Sequence, residues 1–176
     1  MLHSGIQLKL PSDFGIEEDI PETADTFYGN ALQKAEYLYE RCGESCFADD
    51  SGLETVALNG APGVYSARYA GEPKDDLKNM QLLLRNLEGR DNRKAAFKTV
   101  ICLLFEGQSH YFEGTVEGHI INEPRGSNGF GYDPIFVPEG HDKTFAEMSS
   151  EEKNSMSHRK KAVAKMAAFL ETARTS

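Results

Sequence analysis

Apolar residues Phe27, Ala31, Ala35 and Leu38 recur every three or four positions in an otherwise polar run. That spacing predicts a helix from Phe27 to Tyr39 ending near Cys42-Gly43, with Thr23 or Asp25 available as its cap. A second stripe, Leu77, Met80, Leu84 and Leu87, predicts a surface helix over Pro73 to Leu87, with Pro73 in the first turn and Gly89 beyond the end. Ala95 to Phe105 and His110 to Ile121 are rich in strand formers, and Glu106-Gly107-Gln108-Ser109 between them suits a hairpin. Cys46-Phe47-Ala48 reads as a short strand stopped by a turn at Asp49-Asp50-Ser51-Gly52, with another extended piece over Leu53 to Leu58. A short strand at Ile135-Phe136-Val137 and a last helix over Ser157 to Thr172 complete the pattern, with no internal repeat or linker.

Several residues break this pattern. On the first helix Lys34 falls about 20° from Phe27, inside the apolar stripe, where it either snorkels to solvent or meets an anion. At the start of the last helix Arg159 is predicted to point inward beside His158, ready to donate to a carbonyl or phosphate, or to pair with a carboxylate. Asp49 and Asp50 either bind Mg²⁺ through hard oxygen ligands or simply make a turn. Glu22, ahead of the first helix, offers a further oxygen. Gly126 to Gly131 carries three glycines that let backbone approach a ligand, with Phe130 and Tyr132 offering faces that stack on a base. It lacks the Gly-Lys-Ser/Thr of a Walker loop.

A length of 176 residues suits one domain, 1–176, in one or two lobes. The formal charge of -9 argues against extended nucleic-acid binding, so a phosphate substrate needs local lysines and a metal. No run approaches the roughly 18 apolar residues of a membrane span, and Met1 to Ile6 lacks the features of a secretory signal, so a cytoplasmic location with no membrane partner is expected. Cys42, Cys46 and Cys102 are odd in number and lack zinc-knuckle spacing, and read as reduced, structural thiols.

Glu22-Thr23 with Asn30-Ala31 and Lys34-Ala35, Phe47 to Leu53, Gly60 to Gly71, Gly129 to Pro134, and Lys153 with Ser157-His158-Arg159 together resemble the inosine triphosphate pyrophosphatase (Ham1-like) family across residues 20 to 170. The resemblance implies an α/β fold, an elongated mixed β-sheet with flanking helices and two lobes around a central nucleotide cleft, usually as a homodimer. It implies hydrolysis of ITP, dITP and XTP to the monophosphate and pyrophosphate with Mg²⁺. Glu22 and Asp50 fall at the metal, with Asp49 as acidic neighbour and further metal candidate, and Asp50 as the base that activates water. Lys34, Ser51 and Arg68 match positions lining the nucleotide site, and Phe130, Gly131, Tyr132 and Asp133 match its base-binding segment. Lys153, His158 and Arg159 complete the pocket, with His158-Arg159 donating to the purine 6-keto oxygen.

The chain departs from the family pattern in two places. The family begins with a strand and a phosphate loop that this sequence lacks, which leaves open an N-terminally truncated, inactive nucleotide-binding remnant. Gly29 stands where many relatives carry glutamate. A Maf-type pyrophosphatase acting on pyrimidine nucleotides is the other alternative, and Ser157-His158-Arg159 argues against it.

Overall fold

The computed structural model describes residues 6–173; residues 1–5, part of the leader reading above, lie outside it. Helix α1, Phe27–Cys42, forms as the apolar spacing requires and ends at Gly43, whose φ of 66° closes the left-handed cap. Its N-cap is Thr26, which accepts the Gly29 N–H at 3.0 Å. The predicted Thr23 is otherwise engaged, exchanging bonds with Gln33.

Strand β1 is a single run, Cys46–Thr55. The expected turn at Asp49-Gly52 does not exist: these four residues pair in register with Ile101, Val100, Thr99 and Lys98 of the neighbouring strand. Ladder bonding overrides their turn preference, since the side chains of Asp49, Asp50 and Ser51 find partners on either side of the sheet. The second extended piece therefore ends at Thr55, and Val56–Leu58 forms a 3-10 turn.

Helix α2 is Asp76–Asn86, starting later than Pro73 because Asp75 caps it by accepting the Lys78 N–H at 3.0 Å. Strands β2, Lys94–Phe105, and β3, Gln108–Ile120, are joined by Glu106-Gly107 alone. Both turn residues have positive φ, 50° and 77°, the geometry that matches strand twist in two-residue hairpins. Strand β4 is Phe136–Pro138. A short helix α3, Ser150–Met156, precedes the last helix α4, His158–Ala173. Sequence reading missed α3, although its capping box, Ser149 with Glu152, is a legible start signal.

The α/β class with helices flanking a sheet is as expected. The sheet runs β1-β2-β3-β4, and every pairing among the described residues is antiparallel rather than mixed. The tight β2–β3 turn permits only that direction, since a parallel pair needs a long crossover.

Alternation along β2 divides the core. Val100 and Cys102 face Phe27, Ala31 and Ala35 of α1, while Ile101 and Leu103 face Ala162 and Met166 of α4. Toward the other end, Leu53, Phe97, Val116 and Ile120 pack with Met80 and Leu83 of α2 and with Phe136 and Phe145. The polar stretch of β1 thus lies between two apolar regions. All three cysteines are free, and burial pushes the Cys46 and Cys102 thiols up, to about 12 and about 11.

Helix α4 sits against β3 through Gly114. A Cβ there would meet the His158 carbonyl oxygen at 2.0 Å and the Ala162 nitrogen at 2.6 Å, both backbone atoms that cannot give way locally. Gly114→Ala is therefore expected to destabilise the fold by roughly 1–3 kcal/mol. Urea unfolding monitored by circular dichroism checks this.

Candidate active site

The two faces of β1 carry different chemistry. On the α1 face Asp50 is buried, 7% exposed. Asn30, fully buried on α1, donates its Nδ2 to Asp50 Oδ2 at 3.0 Å, while its Oδ1 accepts the Ala24 N–H at 2.9 Å. The Ala24 group can only donate, so the amide is oriented with its NH₂ toward the carboxylate. The Ser51 N–H reaches Asp50 Oδ1 at 3.1 Å, and the Lys34 ammonium lies 3.7 Å from the same oxygen while pairing with Glu22. Lys34 thus has the anionic partners that its place in the apolar stripe requires. Arg68 donates to the Glu22 carbonyl at 3.3 Å and lies 3.9 Å from its carboxylate. Burial pushes the Asp50 carboxyl above the usual carboxylate range, opposed by the Asn30 bond and the Lys34 charge.

On the α4 face Arg159 reaches Asp49 Oδ2 with both Nη2, at 2.9 Å, and Nε, at 3.3 Å. Ser51 Oγ donates to the same Asp49 oxygen at 3.1 Å and bonds Thr99 Oγ1 at 2.7 Å. Arg159 is exposed, not inward as the helical wheel predicts; its fork is drawn to Asp49 at the cleft surface. The inward position belongs to His158, whose ring stacks on Phe97 at 5.1 Å and 12°. Burial, reinforced by the Arg159 and Lys153 cations, pushes the His158 imidazole down to about 4, so it is neutral at pH 7. Its Nδ1 is buried and has no hydrogen-bond partner among the described residues.

Around the same cleft, buried Asp133 accepts the Phe130 N–H at 2.9 Å and pairs with Lys153, whose ammonium sits 4.6 Å from the Phe130 ring centre. Phe130 is exposed and available for stacking. Tyr132 is not: its ring is buried in the core and its hydroxyl donates to the Ser66 carbonyl at 2.8 Å, the partner a buried phenol needs. Gly131 donates its N–H to Asp76 at 2.9 Å.

Ser51, Phe97, Phe130, Lys153, His158 and Arg159 line one cleft. Glu22, Lys34 and Arg68 line a second cavity on the α1 side. The predicted residues therefore gather into two groups that meet at Asp50-Ser51.

Among the described residues no three His, Cys, Asp or Glu side chains converge on one point as a metal site. Glu22 and Asp50 nevertheless fit Mg²⁺, which takes one or two carboxylates and completes its shell with water and substrate phosphate oxygens. Alternation places Asp49 on the opposite face from Asp50. Sequence reading assigned no role to Asn30, Phe97 or Asp76. Asn30 was detectable, since an amide three residues after Phe27 lies beside the apolar stripe of α1. Phe97 reads only as a strand residue.

The Ham1 family profile matches residues 1–169. The chain is 53% identical to the dITP/XTP pyrophosphatase of Porphyromonas gingivalis, over 97% of this chain and 88% of that protein. It is 46% identical to the dITP/XTP pyrophosphatase of Bacillus subtilis, over 95% and 86%. Among solved structures, the Staphylococcus aureus Ham1 protein superposes with a TM-score of 0.88 at 45% identity, covering 92% of this chain and 85% of that one.

The neutral burial of His158 has a pH consequence. With a folded-state pKa near 4 against an ordinary 6.5, the unfolded chain binds the extra proton between those values. Stability from this group is complete above about pH 6.5 and falls as pH drops toward 4, by about 2–3 kcal/mol. Melting temperature measured from pH 7 to 4.5 should fall more steeply for wild type than for His158→Phe.

Proposed function

The chain belongs to the Ham1 family, and on that premise we propose that it hydrolyses the non-canonical purine nucleoside triphosphates ITP, dITP and XTP to the nucleoside monophosphate and pyrophosphate. The observation that carries this reading is the junction at Asp50-Ser51. The buried Asp50 carboxylate, 3.7 Å from the Lys34 ammonium and beside the Glu22–Arg68 pair, lies on one side, and an aromatic cleft with a neutral histidine and an arginine fork lies on the other. One end of a nucleotide needs the first environment and the other end needs the second.

At the phosphate end, Asp50 accepts the proton of a water attacking the α-phosphorus, and pyrophosphate leaves. The Asn30 amide holds one of its oxygens fixed while the other faces Lys34. Lys34 and Arg68 offset triphosphate charge. Glu22 and Asp50 would hold Mg²⁺, which supplies charge neutralisation to the phosphate oxygens when bound.

At the base end, Phe130 offers a stacking face. The His158 imidazole and the Arg159 guanidinium offer donors to a 6-keto oxygen. A 6-amino group would set donor against donor, so adenine is rejected by a desolvation penalty rather than by a missing contact. GTP shares the keto group, so its exclusion falls to contacts with the 2-amino group. We place the enzyme in the cytoplasm, as a homodimer; no described helix is long and apolar enough to cross a membrane.

With magnesium, pyrophosphate release from ITP or XTP should exceed that from ATP or GTP by about 100-fold. Equal rates on all four would remove the specificity assignment. Asp50→Asn should lower kcat by on the order of 10²–10⁴ while IMP binding remains measurable by calorimetry. Near wild-type turnover in that variant would remove Asp50 from the role of base.

A further inference from the structure

The role of Asp49 differs from that of its neighbour. Every hydrogen bond and ion pair of the Asp50 side chain lies on the α1 side or on its own strand, at Asn30, Lys34 and the Ser51 N–H. The Asp49 side chain instead meets Arg159 of α4 and the Ser51 hydroxyl. Strand alternation separates the two carboxylates, so they cannot converge on one ion while β1 keeps its ladder.

We propose that Asp49 is a positioning residue for base discrimination, holding the Arg159 guanidinium in the base cleft rather than serving the metal. This rests on the pyrophosphatase reading above. A single Asp49 oxygen, Oδ2, receives Arg159 Nη2, Arg159 Nε and the Ser51 hydroxyl. Because the one Ser51 proton goes to Asp49, the 2.7 Å contact to Thr99 has the threonine hydroxyl as donor. The chain Thr99, Ser51, Asp49, Arg159 therefore ties the guanidinium to two strands of the sheet.

With Nε and Nη2 held by Asp49, Nη1 has no hydrogen-bond partner among the described residues and remains for a ligand. Its neighbour His158 is fixed independently by stacking on Phe97. Arg159 has no such packing; its side chain is 55% exposed, and without the carboxylate it would sample many rotamers. A pair this exposed adds little to fold stability, so its removal should act on recognition.

The test is a double-mutant cycle read by calorimetry with IMP and AMP, on wild type, Asp49→Ala, Arg159→Ala and the double variant, with magnesium titrations of ITP turnover alongside. Asp49→Ala should cut the preference for IMP over AMP about tenfold, and should cause no further loss in the Arg159→Ala background. The magnesium concentration for half-maximal turnover should not move. Asp49→Glu, which keeps the acceptor, should restore part of the preference, and this variant serves should the alanine variant fold poorly. An unchanged preference in Asp49→Ala, or an equal further loss without Arg159, overturns the proposal. So does a raised magnesium requirement with the IMP preference intact, which would make Asp49 a metal ligand. A wild-type protein that releases no pyrophosphate from ITP overturns the pyrophosphatase reading itself, and is recognised before any variant is made; one that turns over ITP but binds IMP and AMP equally overturns the proposal for Asp49.

Discussion

The extended backbone of β1 through Asp49-Asp50-Ser51-Gly52 is the constraint on which the rest of the site depends. Four polar or small residues stay in the ladder against β2, and the two-residue repeat of a strand then sends their side chains alternately to α1 and to α4. A turn at this point would have left both aspartates on one exposed loop. The strand instead makes each carboxylate answer to a different helix, and one residue of chain links the side of Glu22, Lys34 and Arg68 to the side of Phe97, His158 and Arg159.

That arrangement stands only because each polar group finds a partner. Asp50 lies almost out of water, where an unpaired carboxylate would be costly, and it is held by an amide that is itself oriented by a backbone N–H. Asn30 and Lys34 are on consecutive turns of α1, so the apolar packing of Ala31 and Ala35 against Val100 and Cys102 delivers both to the carboxylate. On the other face, Gly114 lets α4 come close enough for His158 to reach Phe97. Core packing and site geometry are thus set by the same residues.

Much of this is legible in the sequence, unevenly. The helices α1 and α4 and the β2–β3 hairpin follow from periodicity and turn chemistry, and Lys34 stands out because a cation in an apolar stripe needs a partner. Arg159 misled because wheel angles describe a side chain's direction at Cβ, whereas a long guanidinium follows its carboxylate. The Asp49-Gly52 stretch misled further: local preference favours a turn, and only pairing with a strand some fifty residues away holds it extended. Tyr132 reads as an exposed stacking ring because nothing local announces the Ser66 carbonyl that lets it be buried. What the sequence does not encode locally is long-range, and the site is assembled from long-range contacts.

The most direct measurement of the central claim is a crystal structure of the protein with magnesium and a non-hydrolysable ITP analogue. The account predicts the ion between Glu22, Asp50 and phosphate oxygens on the α1 face. It predicts the hypoxanthine ring against Phe130, its keto oxygen toward His158 and Arg159, and Asp49 still bonded to Arg159. An ion bound by Asp49 and Asp50 together, or a base lodged away from α4, would contradict it.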